Sequence, residues 1–538
     1  MAGFLRLISL GREGLWCDEA YTALMVQLPL PEMIQSLMRY DDAPPLFYML
    51  QKLVVSCGGC SETALRLVPA LSGIVAVFLL LIRWCKEERG QYCWAAIFLA
   101  TTTYGVFYAR QARSYGLLIL LALLFILSAK DLLLKNRRGW AGPLLAMTGM
   151  LLCMTHHLGV VLILTSFLLW PLRKTRGLTL ASWALWHLLP LAVWATWWAV
   201  SSSQLQTHAE LNTWMGEFWK GHHLAAAPAL SLGAFLPAVL PASLRAVALA
   251  SPGEISPFWH ILSALLGAGC LLAALVPRLP SALPRESGRE IAIEATFLVI
   301  PLVALAAVSL ILTPVYVLGR TDAIAYPAFV LLIGRGLTKL PRAAATGILI
   351  FWIALSIASL SPSYGLGSPG RAKGADRHLA EVLGKEGLAP DDWVIHSSLT
   401  APSVEYYLRR NGVHHQSAWF PEVAGTNPAG VVPTPLDSLQ TYLDQARALR
   451  QVLESALPQD GSVWILGLRG QRTQPGKDHR TDITRPLSAQ EIGYPMSLLV
   501  YTLVGMEPIT PVLSYRQDWV GGERILLRIP RNRWVPED

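Results

Sequence analysis

The sequence predicts a mainly α protein, a polytopic bundle of transmembrane helices followed by a soluble α/β domain. Three observations carry this expectation. Of 538 residues, 53% are hydrophobic and only 15% charged, well under the roughly one quarter typical of soluble domains. Apolar runs of about 20 residues, the length a helix needs to cross a hydrocarbon core about 30 Å thick, recur up to residue 360. Beyond that point the runs stop and the composition becomes mixed.

The predicted spans lie at 64–83, 91–108, 114–134, 141–156, 158–172, 180–200, 258–277, 291–313, 322–338 and 343–360. The stretch 140–172 is long for one helix and short for two, and charge decides between them. With the loop at about 11–63 outside, the inner connections carry Arg83, Lys86, Arg89, Lys130, Lys135, Arg137, Arg138, Arg173, Lys174, Arg176, Arg278, Arg285, Arg289, Arg335, Lys339 and Arg342. The opposite face carries fewer basic residues on longer loops. This positive-inside bias places the first loop on the extracytoplasmic side and requires 140–172 to be a helical pair turning near His156-His157-Leu158-Gly159. The net charge of +8 is then a topology signal, and nucleic acid need not be invoked.

Only Met1–Leu10 precede the first loop, and ten residues of helix reach about 15 Å. A first span is therefore expected to be lacking or to lie upstream of an initiation codon assigned too far downstream. No charged start, apolar centre and small-residue cleavage site marks a signal peptide. At the other end, residues 361–375 read as a Ser, Gly and Pro linker. Residues 376–538 follow as an α/β domain, with helices at Asp376–Leu383 and Leu436–Ala456 and strands at Trp393–His396, Val463–Leu468 and Arg524–Ile529. Ten spans leave this domain extracytoplasmic. It lacks Cys, so the disulfide argument is silent about its compartment. Cys57-Gly-Gly-Cys60 has the spacing of a metal or redox pair, but no second pair lies nearby, and a loop before a span explains it better.

Chemistry is expected at the outer face. Leu15-Trp16-Cys17-Asp18-Glu19-Ala20-Tyr21-Thr22 sets two acids beside spans that exclude charge. Four further segments share that side: Asp41-Asp42-Ala43-Pro44-Pro45-Leu46, Tyr108 to Tyr115 with Arg110 and Arg113, Thr155-His156-His157, and Tyr316 to Arg320. Carboxylates with arginines suit a reaction in which one group removes a proton while cations hold an anionic leaving group.

Leu15-Trp16-x-Asp18-Glu19-Ala20, Asp41 to Leu46, Ser61-Glu62-x-Ala64-Leu65-Arg66 and Ala112-Arg113-Ser114-Tyr115 stand in an informative order. On these motifs the chain resembles the bacterial GT-C glycosyltransferases of the protein O-mannosyltransferase and aminoarabinose transferase superfamily, particularly the branch with lipopolysaccharide core galacturonosyltransferases. The resemblance spans residues 5 to 360 and extends more loosely to the C-terminal domain. It implies an enzyme of the cell (inner) membrane that moves a sugar from a polyprenyl-phosphate carrier to a hydroxyl of a glycan, lipid or protein, commonly with inversion.

Carried onto this chain, the resemblance makes Asp18 the general base and Glu19 its positioning partner. Asp41 is a second-site residue, although Ala43 stands where the family often has His. Arg113, with Tyr108, Arg110 and Arg320, is expected to receive the carrier phosphate, since a guanidinium makes paired hydrogen bonds to phosphate oxygens. His156 serves that phosphate or only caps its turn. No cofactor is required. A divalent cation is compatible with the Asp18-Glu19 and Asp41-Asp42 pairs, and activity is expected to survive chelation.

Plainer readings stand beside these. The acid pair solvates a loop, Arg110 and Arg113 snorkel to the interface, and Arg320 flanks a span. Trp194, Trp197 and Trp198 read as an interfacial belt rather than a sugar platform. His222-His223 and His414-His415 lack metal-ligand partners at useful spacing and read as surface residues. Two other classes remain: a transporter, which internal repeats or broken helices with mid-span charges would favour, and a non-catalytic scaffold.

Overall fold

The structure, a computed structural model, describes residues 1–41, 43–87, 89–135, 138–174, 177–203, 224–237, 257–275, 286–312, 314–364, 375–396, 401–420, 439–468, 496–517 and 522–536. His222-His223 and Asp42 lie outside them. The chain divides into two compact units: Met1–Arg12 with Val26–Tyr364, and Glu13–Met25 with Gly365–Asp538.

In the first unit, helix α1 (Ala2–Leu7) precedes α2 (Cys17–Gln27), whose first part belongs to the second unit. There follow α3 (Leu30–Ser36), α4 (Leu46–Gly58), α5 (Glu62–Glu87), α6 (Gly90–Thr101), α7 (Thr103–Ala109), α8 (Tyr115–Leu134), α9 (Arg138–Thr155), α10 (Gly159–Phe167) and α11 (Leu180–Ser202). Next come α12 (Ala227–Ala234), α13 (Pro257–Leu275), α14 (Glu286–Ile311), α15 (Tyr326–Lys339) and α16 (Arg342–Leu360).

All ten apolar segments contain helix. α5, α8, α13, α14 and α16 are long and apolar enough to cross a membrane by themselves. Leu185, Leu188, Ile261, Leu265, Leu272, Ile350 and Ile357 are exposed on these and neighbouring helices, as lipid-facing side chains of a multi-pass membrane protein should be.

Two of the spans are not simple rods. The segment 91–108 breaks at Thr102, whose side chain caps α7 by accepting from the Gly105 N–H and pairs with the Tyr326 hydroxyl at 2.5 Å. The stretch 140–172 is the expected pair, α9 and α10, turning at His156 to Leu158. Close approach elsewhere depends on glycine: a Cβ at Gly334 or Gly336 of α15 would collide with the backbone of Gln91 on α6 and of Cys270 on α13. Small residues let membrane helices approach backbone to backbone.

The ends of α5, α8, α14 and α15 meet in a buried charge network. Arg335 donates to Glu290 at 3.0 Å and to Glu294 at 2.9 Å, Lys130 pairs with Glu294, and Arg89 with Glu290 at 2.5 Å. Arg83 pairs with Asp131 at 2.7 Å.

The second unit contains α17 (Ala375–Lys385), β1 (Trp393–His396), α18 (Ala401–Arg410), β2 (Gln416–Trp419), α19 (Leu439–Ala456), β3 (Ser462–Leu468), α20 (Met496–Val504), β4 (Leu513–Gln517) and β5 (Gly522–Pro530). The strands form one sheet in the order β2-β1-β3-β5-β4. β1 is parallel to β2 and β3, whereas β5 is antiparallel to β3 and β4. Ile395, Val463, Ile465, Ile525 and Leu527 pack with Ala446, Leu453, Leu499 and Leu503 of α19 and α20 in the core of this unit. The Leu15 N–H donates to the Tyr407 hydroxyl at 2.7 Å, which ties the segment before α2 to α18.

Candidate active site

Asp41 closes a π-helical turn, Leu37–Asp41, and Pro44-Pro45 then deliver the chain into α4. A fixed proline φ suits that entry. One turn into α4, the buried Tyr48 donates its hydroxyl to Asp41 Oδ2 at 2.6 Å. The same hydroxyl accepts from Arg113 Nη1 at 3.4 Å. Arg113 lies in the tight link between α7 and α8, where the Arg113 N–H donates to the Gln111 carbonyl at 2.7 Å. Three residues distant in sequence thus form one acid, hydroxyl and guanidinium chain.

Beside it runs a series of aromatic rings. Tyr326, Tyr104, Tyr108, Tyr115 and His156 follow one another with centroid separations of 4.6, 4.7, 5.0 and 5.9 Å. This series brings α7, the start of α8, the α9–α10 turn and the start of α15 together. The Tyr108 hydroxyl is buried and, among the described residues, has no hydrogen-bond partner. An unmet buried hydroxyl costs about 1–3 kcal/mol, so its place in the site suits a polar ligand.

The loop carrying Arg320 is set by Asp322. Asp322 Oδ2 accepts from Ser231 Oγ at 2.7 Å and from the Gly319 N–H at 2.9 Å, and Oδ1 accepts from Tyr104 at 2.9 Å. Gly319 has φ of 76°, a left-handed conformation that glycine adopts without strain, and Arg320 follows it directly. Arg320 lies close enough to Tyr108 to act on its hydroxyl electrostatically. A guanidinium within electrostatic reach of a buried hydroxyl suits an anionic oxygen.

The remaining singled-out residues are placed differently. Arg110 donates to the carbonyls of Ile8 at 2.7 Å and of Leu5 and Ser9 at 3.3 Å, and stacks on Tyr364 at 4.5 Å. It caps α1, while Arg6 of α1 caps α6 through the carbonyls of Leu99 at 2.9 Å and Ala100 at 3.0 Å. His156 Nδ1 accepts from the Leu158 N–H at 3.3 Å, the turn-capping arrangement. Trp194 stacks on Trp198 and donates to His157 Nδ1 at 3.0 Å. Asp18 and Glu19 lie in the first turn of α2, where exposed N–H groups favour negative charge. Asp18 is half-buried and Glu19 buried. Cys57 and Cys60 form no disulfide among the described residues.

Sequence reasoning passed over Tyr48 and Asp322, which organise the site. The acid in Gly319-Arg320-Thr321-Asp322, inside a stretch otherwise read as apolar, was the available signal. His415 corrects an expectation: its side chain is only 5% exposed and pairs with Glu405, so it is not a surface residue, whereas His414 is exposed.

No family model and no curated protein matches the sequence. Among solved structures, the chain is similar over its whole length to ArnT from Cupriavidus metallidurans bound to undecaprenyl phosphate, with a TM-score of 0.54 and 13% identity over 98% of that chain. The apo state of the same ArnT gives a TM-score of 0.54 and 14% identity over 100% of this chain and 97% of that one. Arabinofuranosyltransferase AftD from Mycobacteria is less similar: TM-score 0.39, 14% identity, over 91% of this chain and 35% of that one. The fold is that of this ArnT, a membrane helical bundle followed by a domain with a small sheet.

Proposed function

We propose that the protein is an integral membrane glycosyltransferase that moves a sugar from a polyprenyl-phosphate carrier to an acceptor hydroxyl at the extracytoplasmic face, with inversion. The observation that carries this reading is the meeting of Asp41, Tyr48 and Arg113, together with the buried Tyr108 hydroxyl, which has no hydrogen-bond partner among the described residues and lies within electrostatic reach of Arg320. The like-folded ArnT binds a polyprenyl phosphate, which supports the choice of carrier.

In this mechanism the acceptor oxygen forms a bond to the anomeric carbon as the bond from that carbon to the phosphate oxygen breaks. The acceptor proton passes to the Asp18 carboxylate, and the leaving electron pair stays on the lipid phosphate. Arg113 and Arg320 receive the added negative charge, with the Tyr108 hydroxyl as a further donor. Asp41 and Tyr48 orient Arg113. Arg110, whose donors are engaged by α1, holds the frame, and His156 shapes the turn behind Tyr115. Glu19 keeps the start of α2 in place for Asp18. The sugar is a hexose, pentose or uronic acid, as in the galacturonosyltransferase branch that the motifs resemble, and the acceptor is a glycan, lipid or protein.

The test compares, by mass spectrometry, envelope lipids and glycans from cells with the wild-type chain, with Asp18→Asn at equal membrane abundance, or with neither. A sugar increment present only with wild type is expected, because removing a general base costs about 100- to 10,000-fold in rate. Wild-type increments from Asp18→Asn would remove Asp18 as the base. A changed profile without any sugar increment would favour transport.

A further inference from the structure

Three side chains of the second unit, none of them assigned to sugar transfer, converge. His396 ends β1, Glu405 lies on α18 and His415 immediately precedes β2, so a strand, its crossover helix and the next parallel strand each contribute one group. Ile395 points into the core with α19 and α20, and strand alternation turns His396 to the opposite face, where it meets α18.

His396 Nε2 and His415 Nε2 lie 2.8 and 3.0 Å from the same oxygen, Glu405 Oε1. One donor atom from each residue falls within 4.8 Å of the others. Metal bonds of about 2.0–2.1 Å at tetrahedral angles set donors about 3.3 Å apart, so small side-chain adjustments suffice to admit an ion.

With His415 neutral, hydrogen bonding alone leaves this arrangement unbalanced. His415 Nδ1 lies 3.2 Å from the Val413 carbonyl, which can only accept, so Nδ1 carries the proton. A neutral His415 therefore turns the lone pair of Nε2 toward a carboxylate oxygen, and a cation between them removes the repulsion. A ring whose second nitrogen donates to a backbone carbonyl is also the arrangement that orients metal-binding histidines. His396 is fully buried, and its Nδ1 has no partner among the described residues. Glu405 Oε2 accepts from Arg409 Nε at 3.3 Å, leaving Oε1 as the oxygen turned to both imidazoles.

We propose that His396, Glu405 and His415 form a zinc site, with water as the fourth ligand, that fastens β1, α18 and β2 together. Two imidazoles and one carboxylate suit a borderline ion such as Zn2+ better than Mg2+ or Ca2+, which prefer all-oxygen surroundings.

The experiment uses the full-length protein in detergent, stripped with a chelator and titrated with Zn2+ or with Co2+ as a coloured stand-in. Wild type is expected to take up about one zinc per chain at this site, to show the visible Co2+ absorption of a tetrahedral nitrogen and oxygen site, and to unfold at higher temperature when loaded. His415→Ala should bind Zn2+ at least about 100-fold more weakly, since even the loss of a group that only orients a ligand weakens binding about 10- to 100-fold. His415→Cys, which restores a ligand, should recover binding with a shifted Co2+ spectrum. Glu405→Gln, close in shape to wild type, should lose the tetrahedral spectrum while remaining folded. Equal Zn2+ affinity and equal Co2+ spectra in wild type, His415→Ala and Glu405→Gln would overturn the proposal, as would no uptake by wild type.

Discussion

At the scale of single residues, two arginines three positions apart are predicted to do different work. Arg113 meets the Tyr48 hydroxyl beside Asp41, whereas Arg110 is occupied by carbonyls of α1 and its following turn. Arg113→Ala is expected to cut sugar transfer by about 100- to 1,000-fold with little change in thermal stability, the loss seen when a donor to developing charge is removed. Arg110→Ala should do the reverse, destabilising the protein by about 1–3 kcal/mol through the stranded carbonyls. Transfer assays and melting curves on both variants check this; a shared loss of stability would mean that Arg113 is also framework. The residue types were legible in the sequence, because charge beside apolar spans stands out. Their division of labour was not, since it depends on α1 packing about a hundred positions away in the chain. Tyr48 and Tyr108 were harder still, because a tyrosine among apolar residues looks the same whether its hydroxyl is used or not.

At the scale of elements, helix positions followed from hydrophobic length, and the pairing of α9 with α10 followed from basic residues in the loops. The buried ions did not. Sequence made Arg83, Lys130 and Arg335 signals of orientation, yet each is matched to an acid on another helix or on its own. Glu294 sits between Lys130 and Arg335 with no solvent exposure. Glu294→Gln leaves two cations short of their partner and is expected to destabilise the bundle by about 3–5 kcal/mol. Thermal unfolding of the detergent-solubilised variant measures it, and an unchanged melting temperature would show that the ions re-pair or reach water. The break at Thr102 was also invisible, because a single capping threonine inside an apolar run carries no periodic signature.

For the whole molecule, the division into two units does not follow the sequence order. Glu13–Met25, with Asp18 and Glu19, belongs to the unit made mostly of residues after 364, and Tyr407 receives the Leu15 N–H. Tyr407→Phe leaves the buried Leu15 N–H without its acceptor and is expected to destabilise the second unit by about 1–3 kcal/mol and to lower transfer by up to about ten-fold. Wild-type turnover by this variant would mean that the Leu15 link does not order the start of α2. Such a link was unreadable beforehand, since its partners are 392 positions apart and Tyr407 belongs to no motif. It also imposes an order in time. The segment bearing the proposed base leaves the ribosome well before Tyr407 and the other residues that complete its unit. Until Tyr407 has been made the Leu15 N–H lacks its acceptor, so the segment bearing the proposed base settles only after the helices that precede Tyr407 have been synthesised.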